Sequence, residues 1–122
     1  MSRRRVIFGK TGEDLACGEL VSRGYAIVAR RYRTRGGEFD IIARDGPTLV
    51  FVEVKTRQDH RFGDAGEAVG HVKRRRMARL ATEYMMHQRL TACPCRFDVV
   101  SIHMDGGKPA IEVFQNAFSF DS

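Results

Sequence analysis

Residues 49–55, Leu49-Val50-Phe51-Val52-Glu53-Val54-Lys55, read as a strand buried on both faces that ends in two charges. Strand side chains alternate, so Leu49, Phe51, Glu53 and Lys55 share one face while Val50, Val52 and Val54 share the other. Both faces begin apolar, which places the run inside a sheet covered on its two sides. An unpaired carboxylate or ammonium is strongly disfavoured there. Asp40 arrives from the preceding strand, and a divalent cation held between Asp40 and Glu53, with Lys55 beside it, resolves the cost. A plain Glu53–Lys55 ion pair on an exposed edge is the competing explanation; it would contribute only about 0–1 kcal/mol and needs no Asp40 nearby.

Upstream of the run, Glu38 to Arg44 alternates, with Phe39, Ile41 and Ala43 expected on one face and Asp40 and Ile42 on the other. Asp45-Gly46-Pro47 turns the chain, so the two strands form an antiparallel hairpin. Before it lie a short strand, Tyr25 to Ala29, and a basic segment, Arg30-Arg31-Tyr32-Arg33-Thr34-Arg35, closed by Gly36-Gly37. Arginines interleaved with a tyrosine suit phosphate contact and base stacking, and equally a solvated strand end. Thr11 with Asp14 three residues on, and Gly24 as a stop, predict a helix over residues 12–23. Its apolar side gathers Ala16, Cys17, Leu20 and Val21, and Glu13 falls in the middle of that side. The helix dipole explains an acid in the first turn but not on the inner face.

Downstream, residues 57–70 are polar and glycine-bearing, a loop around Phe62-Gly63. A second helix follows from about Val69 to Gln88, with Met77, Leu80, Ala81, Tyr84, Met85 and Gln88 as its inner stripe. Lys73 lies one turn ahead of Met77 on that stripe, placed either to reach the charged site or to lay its stem along apolar surface. Arg75, Arg76 and Arg79 fall mostly off the stripe and form an outer basic surface. Arg96 to Ile102 reads as a further strand, and Asp105-Gly106-Gly107 turns toward a last one, Ala110 to Phe114. The tail, Gln115 to Ser122, carries two phenylalanines expected to be exposed, Phe118 and Phe120.

With 122 residues and 43% apolar content the chain is expected to be one domain, residues 1–122, with a core that needs no staples. Lys and Arg number 21 against 15 Asp and Glu, a net charge of +6 and a pI near 9.7, which favours polyanionic partners such as nucleic acid. The first nine residues hold too few apolar side chains for a secretory core, and no run reaches transmembrane length. The expectation is a cytoplasmic protein without membrane association. Three cysteines, Cys17, Cys93 and Cys95, have no framework spacing and fit a reducing compartment. Cys93-Pro94-Cys95 is at most half a thiolate metal site, since structural zinc wants four ligands.

Glu13, Asp40, Glu53 and Lys55 form the acid–acid–lysine constellation of a metal-dependent nuclease. Phosphodiester hydrolysis needs a hard cation against the charge building on non-bridging oxygens, and Mg²⁺, or Mn²⁺ in its place, takes carboxylates and water. Asp40 and Glu53 would supply the carboxylates and Val54 a backbone carbonyl. Glu13 would orient a metal water or bind the metal itself, and Lys55 would polarise the attacking water.

Asp40 followed by Glu53-Val54-Lys55 resembles the PD-(D/E)XK signature of the restriction-endonuclease-like superfamily. Phe39 stands where that signature has proline, which removes no ligand. Further segments resemble the bacterial YraN family: Gly12-Glu13 with Leu15-Ala16, Gly24-Tyr25, Gly37 to Ala43, Leu49 to Arg57, Phe62-Gly63, Arg96 to Val100 and Asn116-Ala117-Phe118. That family is similar to archaeal Holliday-junction resolvases in its expected fold. The resemblance implies an α/β restriction-endonuclease-like domain, a central mixed sheet flanked by helices, with a metal site at Glu13, Asp40, Glu53 and Lys55. It implies an endonuclease acting on branched or structured DNA, with RNA the other candidate substrate. The expected nucleic-acid contacts are Arg31, Arg33, Arg35, Arg57, Lys73, Arg74, Arg75 and Arg76. A homodimer would suit a two-fold substrate. The competing class is a nucleic-acid-binding or partner-docking module that keeps the fold without catalysis.

Overall fold

The computed structural model describes residues 2–57, 70–104 and 107–118, with the backbone alone for residues 2–11. The elements run α1 (Ser2–Ser22), β1 (Ala26–Thr34), β2 (Gly37–Asp45), β3 (Thr48–Arg57), α2 (His71–His87), β4 (Cys95–His103) and β5 (Ala110–Phe118). The expected loop around Phe62-Gly63, the turn residues Asp105-Gly106 and Phe120 lie outside the described residues.

The five strands lie side by side in chain order, β1-β2-β3-β4-β5. Neighbours are antiparallel except β3 and β4, which run parallel from Leu49↔Cys95 to Arg57↔His103. A parallel pair cannot be closed by a hairpin, and the connection here carries α2. The result is the expected α/β architecture, a mixed sheet with one helix on each face. The β2–β3 hairpin closes through Gly46-Pro47, with Asp45 paired to Thr48; Gly46 holds φ +59° at the first turn position, where a II′ hairpin favours glycine.

The buried run in β3 explains both layers. Leu49 and Phe51 face α2 with Phe39, Ile42, Phe97, Val99 and Phe118, beneath Met77, Leu80, Ala81, Tyr84 and Met85. Val50 and Val52 face α1 with Ile41, Ala43, Val100 and Ile102, beneath Ala16 and Leu20. Under α2 one phenylalanine from each of β2 to β5 forms a row: Phe39 to Phe51 at 4.7 Å, Phe51 to Phe97 at 5.8 Å, Phe97 to Phe118 at 4.5 Å. Burial of each is worth about 1.5–3 kcal/mol.

Several expectations are corrected. α1 begins at Ser2 rather than residue 12, so the Thr11–Asp14 capping pattern lies inside the helix. Its end is as expected: Tyr25 N–H donates to Leu20 O and Gly24 N–H to Val21 O, with Gly24 at φ +96°, a Schellman stop. Val21 is 56% exposed, because at 100° per residue it lies well round the helix from the buried line of Ala16 and Leu20. Gln88 is exposed and caps α2 instead of joining its inner stripe. The basic segment through Thr34 belongs to β1, paired along β2, rather than following the strand. β5 continues to Phe118, which is 5% exposed and stacked on Phe97, so it does not belong to an exposed tail.

Candidate metal and nucleic-acid site

One departure from regular strand geometry shapes the site. Arg30 pairs with Ile41 and Tyr32 with Phe39, which sets Arg31 opposite Asp40. Arg31 has φ +53°, a left-handed conformation uncommon for a residue with a side chain. Alternation breaks at the same level in both strands. Ala29 and Tyr32, three residues apart, both pack under α2, and so do Phe39 and Ile42. The expected pairing of Phe39 with Ile41 on one face is thereby corrected, since Ile41 lies under α1.

The β2–β3 register ends at Ile41↔Val52. Beyond it the Asp40 side chain meets β3 in place of the backbone: Val54 N–H donates to Asp40 Oδ2 at 2.7 Å. A cavity of about 270 Å³ opens where the strands part, lined by Gly37, Glu38, Asp40, Glu53, Lys73, Arg76, Met77 and Leu80. Asp40 and Glu53, named from the sequence, thus share one space.

The charges in this cavity are incompletely balanced. Burial raises the Asp40 carboxyl most; the Val54 N–H pulls it down, and the charges of Glu53, Glu38 and Glu13 push it further up, to about 6. Glu53, with its side chain 13% exposed, binds Lys73 Nζ through Oε1 at 2.5 Å. Among the described residues its ion-pair partner is Lys73 and not Lys55, which removes the simple Glu53–Lys55 explanation. Lys73 reaches the site, as its position on the helix stripe allows. Arg76, expected on the outer surface, lines the cavity, and Glu38 is a fifth charged wall residue the sequence did not single out. Lys55 is half-buried on the strand that carries Glu53, two residues on.

Glu13 is placed differently. α1 lies directly on β3 at Gly12, where a Cβ would fall 2.5 Å from Thr56 Oγ1, and this contact sets the next residue against the sheet. Glu13 Oε1 accepts from Arg30 Nε and Oε2 from Arg31 Nε, both at 2.9 Å. It does not line the cavity holding Asp40 and Glu53. Among the described residues no group of three or more His, Cys, Asp or Glu side chains is arranged to hold a metal ion. Of the three carboxylates lining the cavity Glu38 is paired with Arg33, which leaves Asp40 and Glu53; two carboxylates match Mg²⁺, a cation that keeps several waters and takes one or two carboxylates. Cys93 and Cys95 border a separate cleft with Met85 and Met86, and all three cysteines are free thiols.

The basic residues divide by their partners. Arg33 pairs with Glu38 at 2.6 Å, and Arg30 Nη2 with Asp14 Oδ1. Arg74 lies over the Phe118 ring, 5.6 Å from its centroid. Arg35 and Arg75 are exposed, and Arg57 is half-buried at the end of β3.

A second polar cluster, invisible as a site in the sequence, lies across the sheet. Asp98 is fully buried; Oδ1 accepts from Arg96 Nε at 3.0 Å and Asn116 N–H at 2.9 Å, and Oδ2 from Tyr25 Oη at 3.1 Å. Arg96 also binds Asp45 Oδ2 at 2.8 Å, and Gln115 Nε2 donates to Tyr25 Oη at 2.8 Å. The only sequence signal was an arginine and an aspartate two apart on one strand face.

The profile of the Uncharacterised protein family UPF0102 matches residues 12–102, from the glycine contact of α1 through β4. A UPF0102 protein of Symbiobacterium thermophilum is 49% identical over 119 residues, 97% of this chain and 98% of the relative. One from Geobacter metallireducens is 46% identical over 119 residues, 97% of each chain. One from Caldicellulosiruptor saccharolyticus is 39% identical over 120 residues, covering 97% of this chain and all of the relative. With the profile and these full-length similarities in accord, the chain belongs to the UPF0102 family.

Proposed function

We propose that this protein is a Mg²⁺- or Mn²⁺-dependent endonuclease that hydrolyses phosphodiesters in DNA, with branched or structured DNA as its substrate. The observation that carries the reading is the meeting of Asp40 and Glu53 in one cavity, where burial and neighbouring acids raise Asp40 to about 6. A site with surplus negative charge and cationic walls fits a divalent cation and a phosphate better than it fits a purely structural role.

In this reading Asp40, Glu53 and the Val54 carbonyl would hold the cation, which would supply Lewis-acid stabilisation of the scissile phosphate and acidify bound water. Val54 N–H fixes one Asp40 oxygen and leaves the other for the ligand. Lys73, which holds Glu53 here, would offer its ammonium to the phosphate were Glu53 to serve the cation. Lys55 polarises the attacking water. Arg76 on the wall contacts a flanking phosphate, and Arg31, Arg35, Arg57 and Arg75 are the further arginines offered to the backbone. A two-fold junction would be met by two copies of the chain. No described helix is long and apolar enough to cross a membrane.

The test is incubation of purified protein with linear, nicked and four-way DNA in Mg²⁺ or Mn²⁺. Cleavage is expected on the branched substrate, lost in an Asp40→Ala, Glu53→Ala double variant and reduced about 100-fold by Lys55→Ala. Equal cleavage by wild type and double variant defeats the proposal. A second reading, a nucleic-acid-binding module without catalysis, is favoured by the Lys73–Glu53 pair and by the absence of a three-acid group among the described residues. Salt-dependent binding insensitive to Lys55→Ala, with no turnover on any substrate, would establish it.

A further inference from the structure

Consecutive residues of a regular strand point to opposite faces. Arg30 and Arg31 nevertheless both end on one carboxylate, each through Nε at 2.9 Å. The left-handed backbone at Arg31, φ +53°, brings the second arginine round to the face of the first. The Glu13 side chain beneath them is 11% exposed and the Arg31 side chain 53% exposed, so a buried acid anchors a guanidinium that stands at the surface.

The three arginines of β1 differ in what remains available. Arg30 is spent on two acids, Glu13 and Asp14. Arg33 is held by Glu38. Arg31 meets Glu13 through Nε, and among the described residues its two terminal nitrogens have no acidic partner. A guanidinium fixed at Nε, with both terminal nitrogens presented outward, is the geometry that binds a phosphate bidentately. Arg31 lies opposite Asp40 in the strand register, beside the cavity rather than within it.

We propose that Arg31 is a fixed receptor for one backbone phosphate of the nucleic acid, and that Glu13 is a positioning residue for that arginine and not a cation ligand. This rests on the nucleic-acid reading above. It carries a consequence opposite in sign to charge arithmetic. Neutralising an acid beside DNA should tighten binding, whereas neutralising Glu13 frees Arg31 and weakens it.

The experiment is fluorescence anisotropy of the full chain on a four-way DNA junction in EDTA from 50 to 200 mM salt, with Mn²⁺ calorimetry in parallel. Arg31→Ala is expected to weaken binding about 5-fold or more and to lower the salt slope by about one. Glu13→Gln is expected to weaken binding by a similar factor. The double variant should be no worse than Arg31→Ala, which separates positioning of Arg31 from general loss of structure. Arg31→Lys, which keeps the charge and leaves Glu13 in place, should also bind more weakly because an ammonium lacks the fork. Mn²⁺ affinity should be unchanged in Glu13→Gln.

Unchanged or tighter DNA binding by Glu13→Gln overturns the proposal, as does Glu13→Gln losing Mn²⁺ affinity while Arg31 variants bind DNA normally. Wild-type protein that fails to bind DNA or RNA overturns the nucleic-acid reading itself. Wild-type binding with an indifferent Glu13→Gln overturns the receptor alone.

Discussion

Asp40 and Asp98 are the same residue type on strands of one sheet, and their surroundings are opposite in kind. Asp98, fully buried on the α1 side, receives bonds from a guanidinium, a phenol and a backbone N–H. Asp40, half-buried at the end of the β2–β3 register, receives one backbone N–H and sits among three further acids that raise it. A carboxylate with every oxygen satisfied holds structure together. One raised by burial and neighbouring acids at the wall of a cavity is the kind of group that binding and catalytic sites use, which is the reading proposed above. Strand geometry underlies the contrast: a positive-φ residue, Asn116, brings a donor to Asp98, whereas the one at Arg31 draws an arginine toward Glu13 opposite Asp40.

The contrast breaks most visibly at Asp98. Replacing it with alanine leaves Arg96, Tyr25 and the Asn116 N–H without their central acceptor, and breaking a buried pair costs about 3–5 kcal/mol. Urea unfolding of Asp98→Ala at neutral pH should show that loss; a change below about 1 kcal/mol would mean the cluster is not structural.

At Asp40 the sign reverses. Its folded-state value near 6 exceeds the ordinary 3.8, so the folded protein holds this proton more tightly than the unfolded chain. The contribution is fully present below about pH 4 and is lost as pH rises to about 6. At 1.36 kcal/mol per unit, the cost at neutral pH reaches at most about 3 kcal/mol. Asp40→Asn keeps an acceptor for Val54 N–H and removes the charge. Its stability relative to wild type should be near zero at pH 4, rise through pH 6 and level off above it at about 1–3 kcal/mol. Destabilisation at pH 7.5 would place Asp40 in the same class as Asp98.

The central strand was legible in residues 49–55 because local periodicity alone decides burial on two faces. The same run named Glu53, and the hairpin it implies brought Asp40 to it. Lys73 followed from helix geometry, one turn ahead of Met77. Other features lay beyond a reading of this kind. Alternation assumes regular strands, so the matched breaks at Arg31 and Asp40 displaced Phe39; helix periodicity correctly turned Glu13 inward, but no periodicity shows that two arginines meet it there. The Asp98 cluster joins Tyr25, Asp45, Arg96 and Gln115, residues far apart in sequence, and no local pattern announces it. Phe118 looked exposed because only the phenylalanine row of four strands shows what it stacks on.

The claim on which the account depends is that Asp40 and Glu53 bind one cation together. Calorimetric titration of Mn²⁺ into the metal-free protein at pH 7.5, with Asp40→Asn and Glu53→Gln variants alongside, tests it directly. One site per chain is expected in the wild type, and each variant should lose it. Absence of binding in the wild type, or a site that survives both substitutions, would contradict the account.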